Sequence, residues 1–383
     1  MSVMYWTAKN GWSRRSFLKA SAATGLGLVA SPLIVENAFS SSGELNFMGW
    51  AGYDFKKFFE GFTASTGIKM NFIEQPDNES IFAQGKLAIQ TGAVDVMEPT
   101  IDRVSAYATD GIVQPWDESK IKLDGFLQDL VTGANGETAK VDGKRYFLPS
   151  VWGTEALVFN TQENPLVYGT ASLGDLFDPK FEGKVTVRPH SALAAMGRYL
   201  DSLGGKLPHP FMDSYKDEAK MKANWDVILA EAIKSKKNIV QFWKGENEAQ
   251  AAFLTNGCTL GHCWDSTGFN LQKAGQPISY LAPKEGAFAW LQGYMLHKNA
   301  KNVEQAHAFA NYVGSADGGA LNATAFAANP TANGALEKMD PAVTAFYKAA
   351  YPGDALSKLW WWPVQESWYL KLRNEYADKF QAA

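Results

Sequence analysis

Four short apolar runs in this chain end on residues able to do chemistry: Gly49-Trp50, Pro99-Thr100, Arg188-Pro189-His190 and Trp264-Asp265. Indole faces attract cations and cover alkyl chains. A guanidinium is a planar, permanently charged fork suited to carboxylate, sulfonate or phosphonate. The chain contains no Gly-x-Gly-x-x-Gly fingerprint, no Gly-x-Ser-x-Gly elbow and no His-Glu-x-x-His pair. Its two cysteines, Cys258 and Cys263, do not form a Cys-x-x-Cys pair, so zinc, haem attachment and iron-sulfur ligation lack support and no metal or cofactor is expected. If residues 258–263 run extended at about 3.3 Å each, the sulfurs stay too far apart to bond. Two free, buried thiols are expected, with His262 as a strand residue beside one of them.

The elements that must hold those residues are legible in the apolar periodicity. Residues 45–50 read as a strand, and residues 55–66 place Phe55, Phe58, Phe59 and Phe62 at three- and four-residue spacings, an amphipathic helix facing a core. A strand at 69–74, a helix at 80–90 and an apolar strand at 94–97 continue the alternation. This is the pattern of an α/β lobe with a mostly parallel sheet. Proline and glycine punctuate residues 133–153; the strand then resumes at 156–160, where the chain is expected to enter a second lobe. That lobe is expected to hold strands at 185–187 and 259–264 and helices within 191–203 and 221–235. In open α/β sheets ligands sit in the crevice beyond the carboxyl ends of the strands, where the four runs point.

Upstream, Ser13-Arg14-Arg15-Ser16-Phe17-Leu18-Lys19 is a twin-arginine export signature ahead of a mild apolar run at residues 20–35. That run is about sixteen residues long and diluted by serine, glycine and proline, too short and polar for a transmembrane helix, so it reads as a cleaved signal. With processing near Ser41, the mature chain lies outside the cytoplasm. The leader holds Lys9, Arg14, Arg15 and Lys19 against Glu36, so its removal takes the formal charge from −4 to −7. A mildly acidic chain without basic stripes lacks the electrostatic footprint of nucleic-acid binding. About 343 mature residues exceed what one core usually serves, so two lobes are expected.

An ordered set of segments is more specific. It comprises Trp50-Ala51-Gly52-Tyr53, Pro99-Thr100, the run from Trp152-Gly153-Thr154-Glu155 to Asn160, and Trp264. Pro283-Lys284-Glu285-Gly286 leading to Trp290, Ala300-Lys301-Asn302 before a helix at 304–313, and Asn329-Pro330-Thr331 complete it. Together they resemble the periplasmic spermidine/putrescine-binding proteins of ATP-driven importers, over nearly the whole mature chain. The resemblance implies an α/β, two-lobed type II periplasmic binding fold. It also implies a receptor, not an enzyme, that closes on a solute as a monomer and delivers it to a membrane permease. The expected division is a signal at 1–40, one lobe at 41–150 plus 265–312, and the other at 151–264 plus 313–383.

In that family aromatic faces sandwich an alkyl chain or cation while carboxylates hold the amines. The aromatic candidates here are Trp50, Tyr53, Trp152, Trp243, Trp264 and Trp290, whereas Trp360-Trp361-Trp362 reads as packing. The polar candidates are Thr100, Asp102, Glu155, Arg188, Asp265 and Gln292. The carboxylate half departs from the family: Gly52 and Gln292 stand where acids are expected, and Arg188-Pro189-His190-Ser191 replaces an acidic loop. Asp102 has two roles open to it, ligand contact or helix cap. Arg188 has two as well, ligand contact or a salt bridge to Glu155, and His190 reads as neutral.

The expected ligand is a polyamine-like or other amine-bearing small molecule. The alternative is a zwitterionic or anionic solute of the opine, aminosulfonate or aminophosphonate type. Ferric capture is disfavoured because no adjacent Tyr-Tyr pair exists. An exported enzyme is the competing class, and the missing motifs weigh against it.

Overall fold

The structure is a computed structural model, and it describes residues 43–383. The expected export signal lies outside the described residues. Within them, no helix is long and apolar enough to cross a membrane.

The described residues begin with the strand Glu44–Trp50, which pairs in parallel with Lys69–Gln75 on one side and Val96–Met97 on the other. Between the first two lies the helix Lys56–Thr66, which buries Phe58 and Phe62 and ends at Gly67, whose φ of +74° lets its N–H return to the Thr63 carbonyl. The helix Asn78–Ala88 starts where the Asp77 carboxylate accepts the Ser80 N–H at 2.7 Å. A second parallel set is formed by Leu260–Trp264, Val185–Val187 and Ile239–Phe242.

Two long strands join the sets. Leu148–Asn160 runs antiparallel to Leu260–Trp264, Phe288–His297 runs antiparallel to Val96–Met97, and the two long strands pair antiparallel with each other. The sheet order by starting residue is 69, 44, 96, 288, 148, 260, 185, 239.

The first long strand starts eight residues earlier than its apolar run suggested. Pro149 and Gly153 had the look of loop punctuation, yet both lie inside the strand. Gly153 is opposite Trp290, and a Cβ there would lie 2.4 Å from the Trp290 ring. Glycine here marks the close approach of an indole to a backbone, not a turn.

Buried apolar side chains form two clusters. In the first, Phe309 meets the rings of Phe47, Phe58, Phe62 and Tyr294 at centroid distances of 5.4, 5.7, 5.3 and 4.9 Å. In the second, Tyr369 stacks on Tyr215 at 4.4 Å and meets Trp225 edge-on at 6.0 Å, and Trp360 packs against Phe288 at 4.7 Å. Val313, Phe326 and Phe346 contribute to the first cluster, and Trp360, Tyr369 and Phe380 to the second. Cys258 and Cys263 are free and buried.

Phe309 is the hub of the first core and fully buried. Phe309→Ala is expected to lower stability by about 3–5 kcal/mol. Urea denaturation with an unchanged slope and a lower midpoint checks it; a loss below about 1 kcal/mol would mean that the four surrounding rings close the void.

Candidate functional site

The carboxyl ends of both parallel sets face a cavity partly open to solvent. Trp50 ends one strand, Thr100 follows another by a short turn, Arg188 follows a third, and Trp264 ends a fourth. Trp290 and Gln292 reach the same space from the second long strand. The register of that strand shifts between Gln292 and Gly293, and Gln292 forms a bridge with Thr100. A bulge of this kind re-aims a side chain at the edge of a site.

The aromatic wall is built in layers. Trp264 meets Trp50 edge-on at 5.7 Å and Trp243 at 4.9 Å. The Arg188 guanidinium carbon lies 5.2 Å from the ring centroids of both Trp243 and Trp264. Its Nε donates to Ser191 Oγ at 3.0 Å and its Nη2 to Glu155. Behind it, Glu155 Oε1 lies 3.1 Å from His262 Nδ1, with both residues fully buried. Burial would raise the Glu155 carboxyl, but Arg188 and then His262 outweigh it and hold the group below its usual value. Arg188 thus pairs with Glu155 while lining the cavity.

A second polar cluster closes the opposite side. Asp102 Oδ2 accepts Gln365 Nε2 at 2.9 Å and lies 3.0 Å from Arg103 Nε. Gln365 Oε1 accepts Arg373 Nη1 at 2.8 Å, and Arg373 and Arg103 both donate to Glu79. Burial works against ionisation of Glu79, yet Arg373 and Arg103 together hold it well below the usual carboxylate range. His190 is held neutral, its pKa lowered by burial and by the charges of Arg373 and Arg188. Asp102 caps nothing with its side chain.

Of the residues singled out in the sequence, Trp50, Tyr53, Thr100, Asp102, Arg188, Trp264, Trp290 and Gln292 come together around the cavity. Trp152, Glu155, Trp243 and Asp265 are not in its lining. Trp152 packs beside Trp361 at 6.2 Å, and Trp243 is fully buried with its Nε1 donating to the His262 carbonyl at 3.2 Å. Asp265 Oδ2 accepts the Thr154 N–H at 2.7 Å and the Tyr351 hydroxyl at 3.1 Å, which ties the first long strand to the helix Asp265–Lys273.

Asn78, Arg103, Trp362, Gln365 and Arg373 also line the cavity. Sequence reasoning missed them. Trp362 carried a visible signal in the tryptophan triplet, but within it only Trp360 and Trp362 face the second core and Trp362 turns one edge to the cavity. Gln365 and Arg373 carried none, since a single Gln or Arg near a C-terminal helix is ordinary surface composition. Gly52 has a physical reason: its φ is +92°, and a Cβ would lie 3.2 Å from that of Glu246. An acid at that position would be strained. Among the described residues no group of three or more His, Cys, Asp or Glu side chains is placed to hold a metal ion.

This geometry has relatives. Residues 57–350 match the model of the bacterial extracellular solute-binding proteins. The spermidine/putrescine-binding periplasmic protein of Escherichia coli (strain K12) is 26% identical over 376 residues, covering 97% of this chain and 99% of that one. Among solved structures, a putative spermidine/putrescine ABC transporter from Listeria monocytogenes is similar with a TM-score of 0.72 at 19% identity, covering 89% of this chain and 99% of that one. The PBP MotA from A. tumefaciens B6 in complex with glucopine gives 0.68 at 14% identity, covering 88% and 99%. The fold is the two-lobed type II periplasmic binding fold, as the sequence led us to expect.

Two buried acids beneath the cavity set a pH dependence. Burial pushes Glu98 up to about 8, although Ser150 and Tyr294 hydrogen-bond to it, and pushes Asp265 up to about 7. Both folded values exceed the ordinary ones of 4.5 and 3.8, so the folded chain binds more protons than the unfolded chain in between. Their contribution is complete below the unfolded values and is lost as pH rises towards 7 and 8. His190 works in the opposite sense below its usual 6.5, so the cleanest window lies above that. Stability is expected to fall across that window by up to about 1 kcal/mol per pH unit for Glu98 and by less for Asp265, which is already half ionised near 7. Urea midpoints should drop between about pH 6.5 and about pH 8, with a shallower drop for Glu98→Gln; parallel pH profiles for the two proteins contradict this.

Proposed function

The chain belongs to the family of bacterial extracellular solute-binding proteins, and from that premise we propose that it is the periplasmic receptor of an ATP-driven (ABC) importer. Its ligand is a polyamine-like or other amine-bearing small molecule. The observation that carries this reading is the cavity at the carboxyl ends of both parallel sets, walled by Trp50, Trp264, Trp290 and Trp362 with Asp102 in its lining. Aromatic faces around one carboxylate suit an ammonium on an alkyl stem, because the ring quadrupole and the carboxylate favour the cation while the stem is covered by apolar surface.

The names of relatives agree with it: spermidine/putrescine-binding and putrescine-binding periplasmic proteins match most of the chain at 26% and 27% identity. In this reading the twin-arginine signal delivers the folded receptor to the periplasm. The receptor works as a monomer, binds without turnover and hands the solute to a membrane permease. The two cores are the bodies that close on it, with the paired long strands as the hinge.

Calorimetry and small-angle scattering test the reading on the processed chain. Titration with putrescine, spermidine and a panel of amino acids should find a binder that reduces the radius of gyration. Trp264→Ala should weaken that binder by roughly 2–4 kcal/mol while shifting the urea midpoint less. Consumption of the ligand, or a radius of gyration unchanged at saturation, counts against a closing receptor.

A further inference from the structure

The cavity lining contains more hydrogen-bond donors without partners than a grip on amines would use. Trp290 Nε1 and Gln292 Nε2 are buried with no hydrogen-bond partner, and both residues line the cavity. They are two apart on one strand and so share a face. Arg188 has given Nε to Ser191 and Nη2 to Glu155, while its Nη1 makes no hydrogen bond among the described residues. Its guanidinium carbon lies over both the Trp243 and the Trp264 ring at 5.2 Å, which helps hold the fork in place.

Helix ends add to the same sign. The helices Asn78–Ala88, Pro189–Ser202 and Asp265–Lys273 each begin at or directly after a lining residue, namely Asn78, Arg188 and Trp264. Each points the positive end of its dipole there, although Asp77 already accepts the Ser80 N–H and Asp265 the Ser266 N–H.

The acceptors are mostly spent. Glu79 accepts from Arg103 and Arg373, Glu155 from Arg188, and Asp102 Oδ2 from Gln365, with the Arg103 guanidinium 3.0 Å away as an ion pair. Asp102 Oδ1 is left as the carboxylate oxygen of the lining without a hydrogen bond. A diamine brings two ammonium groups, and the second would face donors. Buried N–H groups opposite a cation stay unpaired and cost binding.

We propose that the ligand is a zwitterion, with its ammonium on Asp102 Oδ1 and a carboxylate-type group received by Arg188 Nη1, Trp290 Nε1 and Gln292 Nε2. This rests on reading the cleft as the receptor's ligand site, and it narrows the amine-bearing class to members that also bear an acid. Gln292 is the specificity residue: its side-chain amide lines the cavity two positions along the same strand from Trp290.

The test compares ω-amino acids of three to six carbons with α,ω-diamines of the same lengths, by calorimetry on the processed full chain. Arg188→Ala is avoided because it leaves Glu155 buried without its charge partner. Trp290→Phe keeps an aromatic ring, smaller than the indole, and removes the N–H, and Gln292→Glu replaces a donor by a negative charge. Wild-type protein should bind at least one ω-amino acid about 10- to 100-fold more tightly than the matching diamine. Trp290→Phe should lower acid affinity about 5- to 50-fold and diamine affinity by less, and Gln292→Glu should reverse the preference. Thermal melts of both variants establish that they are folded. Tighter diamine binding by the wild type, or a preference that neither variant alters, overturns the proposal, as does no binding of either series. Diamine binding that Trp264→Ala abolishes overturns the proposal while leaving the receptor reading intact; binding that Trp264→Ala and Trp290→Phe both leave untouched overturns the two together.

Discussion

The antiparallel pairing of Leu148–Asn160 with Phe288–His297 supports everything else in this molecule. Each strand belongs to both halves of the sheet, so the two parallel sets, and the two cores built on them, are held in register by one ladder. Because side chains alternate along a strand, a slip of one residue would turn Trp290 and Gln292 away from the cavity. Gly153 permits the apposition, since only a residue without a Cβ leaves room for the Trp290 ring above the backbone. The network of Asp265, Thr154 and Tyr351 then ties this ladder to the second parallel set.

Around the cavity, desolvation and charge pairing pull against each other. Three arginines (Arg103, Arg188, Arg373) and three carboxylates (Glu79, Asp102, Glu155) are neutralised locally, and Glu79 and Glu155 stay below their ordinary pKa despite burial. Buried pairs of this kind contribute little net stability against apolar substitutes, but removing one partner leaves a costly lone charge. Their consequence is positional. Arg188 is held by Ser191, Glu155 and two indole faces, so it presents a fixed group to the cavity. Where no cation stands near, the balance tips the other way: Glu98 and Asp265 are driven up to about 8 and about 7.

Much of the fold was legible in the chain. The phenylalanines of residues 55–66 repeat at helical spacing, and the strand Val185–Val187 and the helices within 191–203 and 221–235 emerged where periodicity placed them. The first long strand was half legible, because Pro149 and Gly153 carry the same local signature in a loop as at a close approach. Eight of the twelve residues singled out for the site gather around the cavity. Those at the ends of parallel strands do so because topology delivers such residues to one edge, while Trp290 and Gln292 arrive on the second long strand.

The sequence by itself determined the element alternation and the aromatic endowment of the strand ends, since these are local properties of composition and spacing. Only the tertiary structure decided which polar groups remain free to meet a ligand. Glu155 and Asp265 are spent on partners 33 and 111 positions away, and Gln365 reaches Asp102 across 263. Whether a carboxylate binds a solute or an arginine depends on what the fold brings within about 3 Å of it, and one-dimensional spacing does not contain that distance.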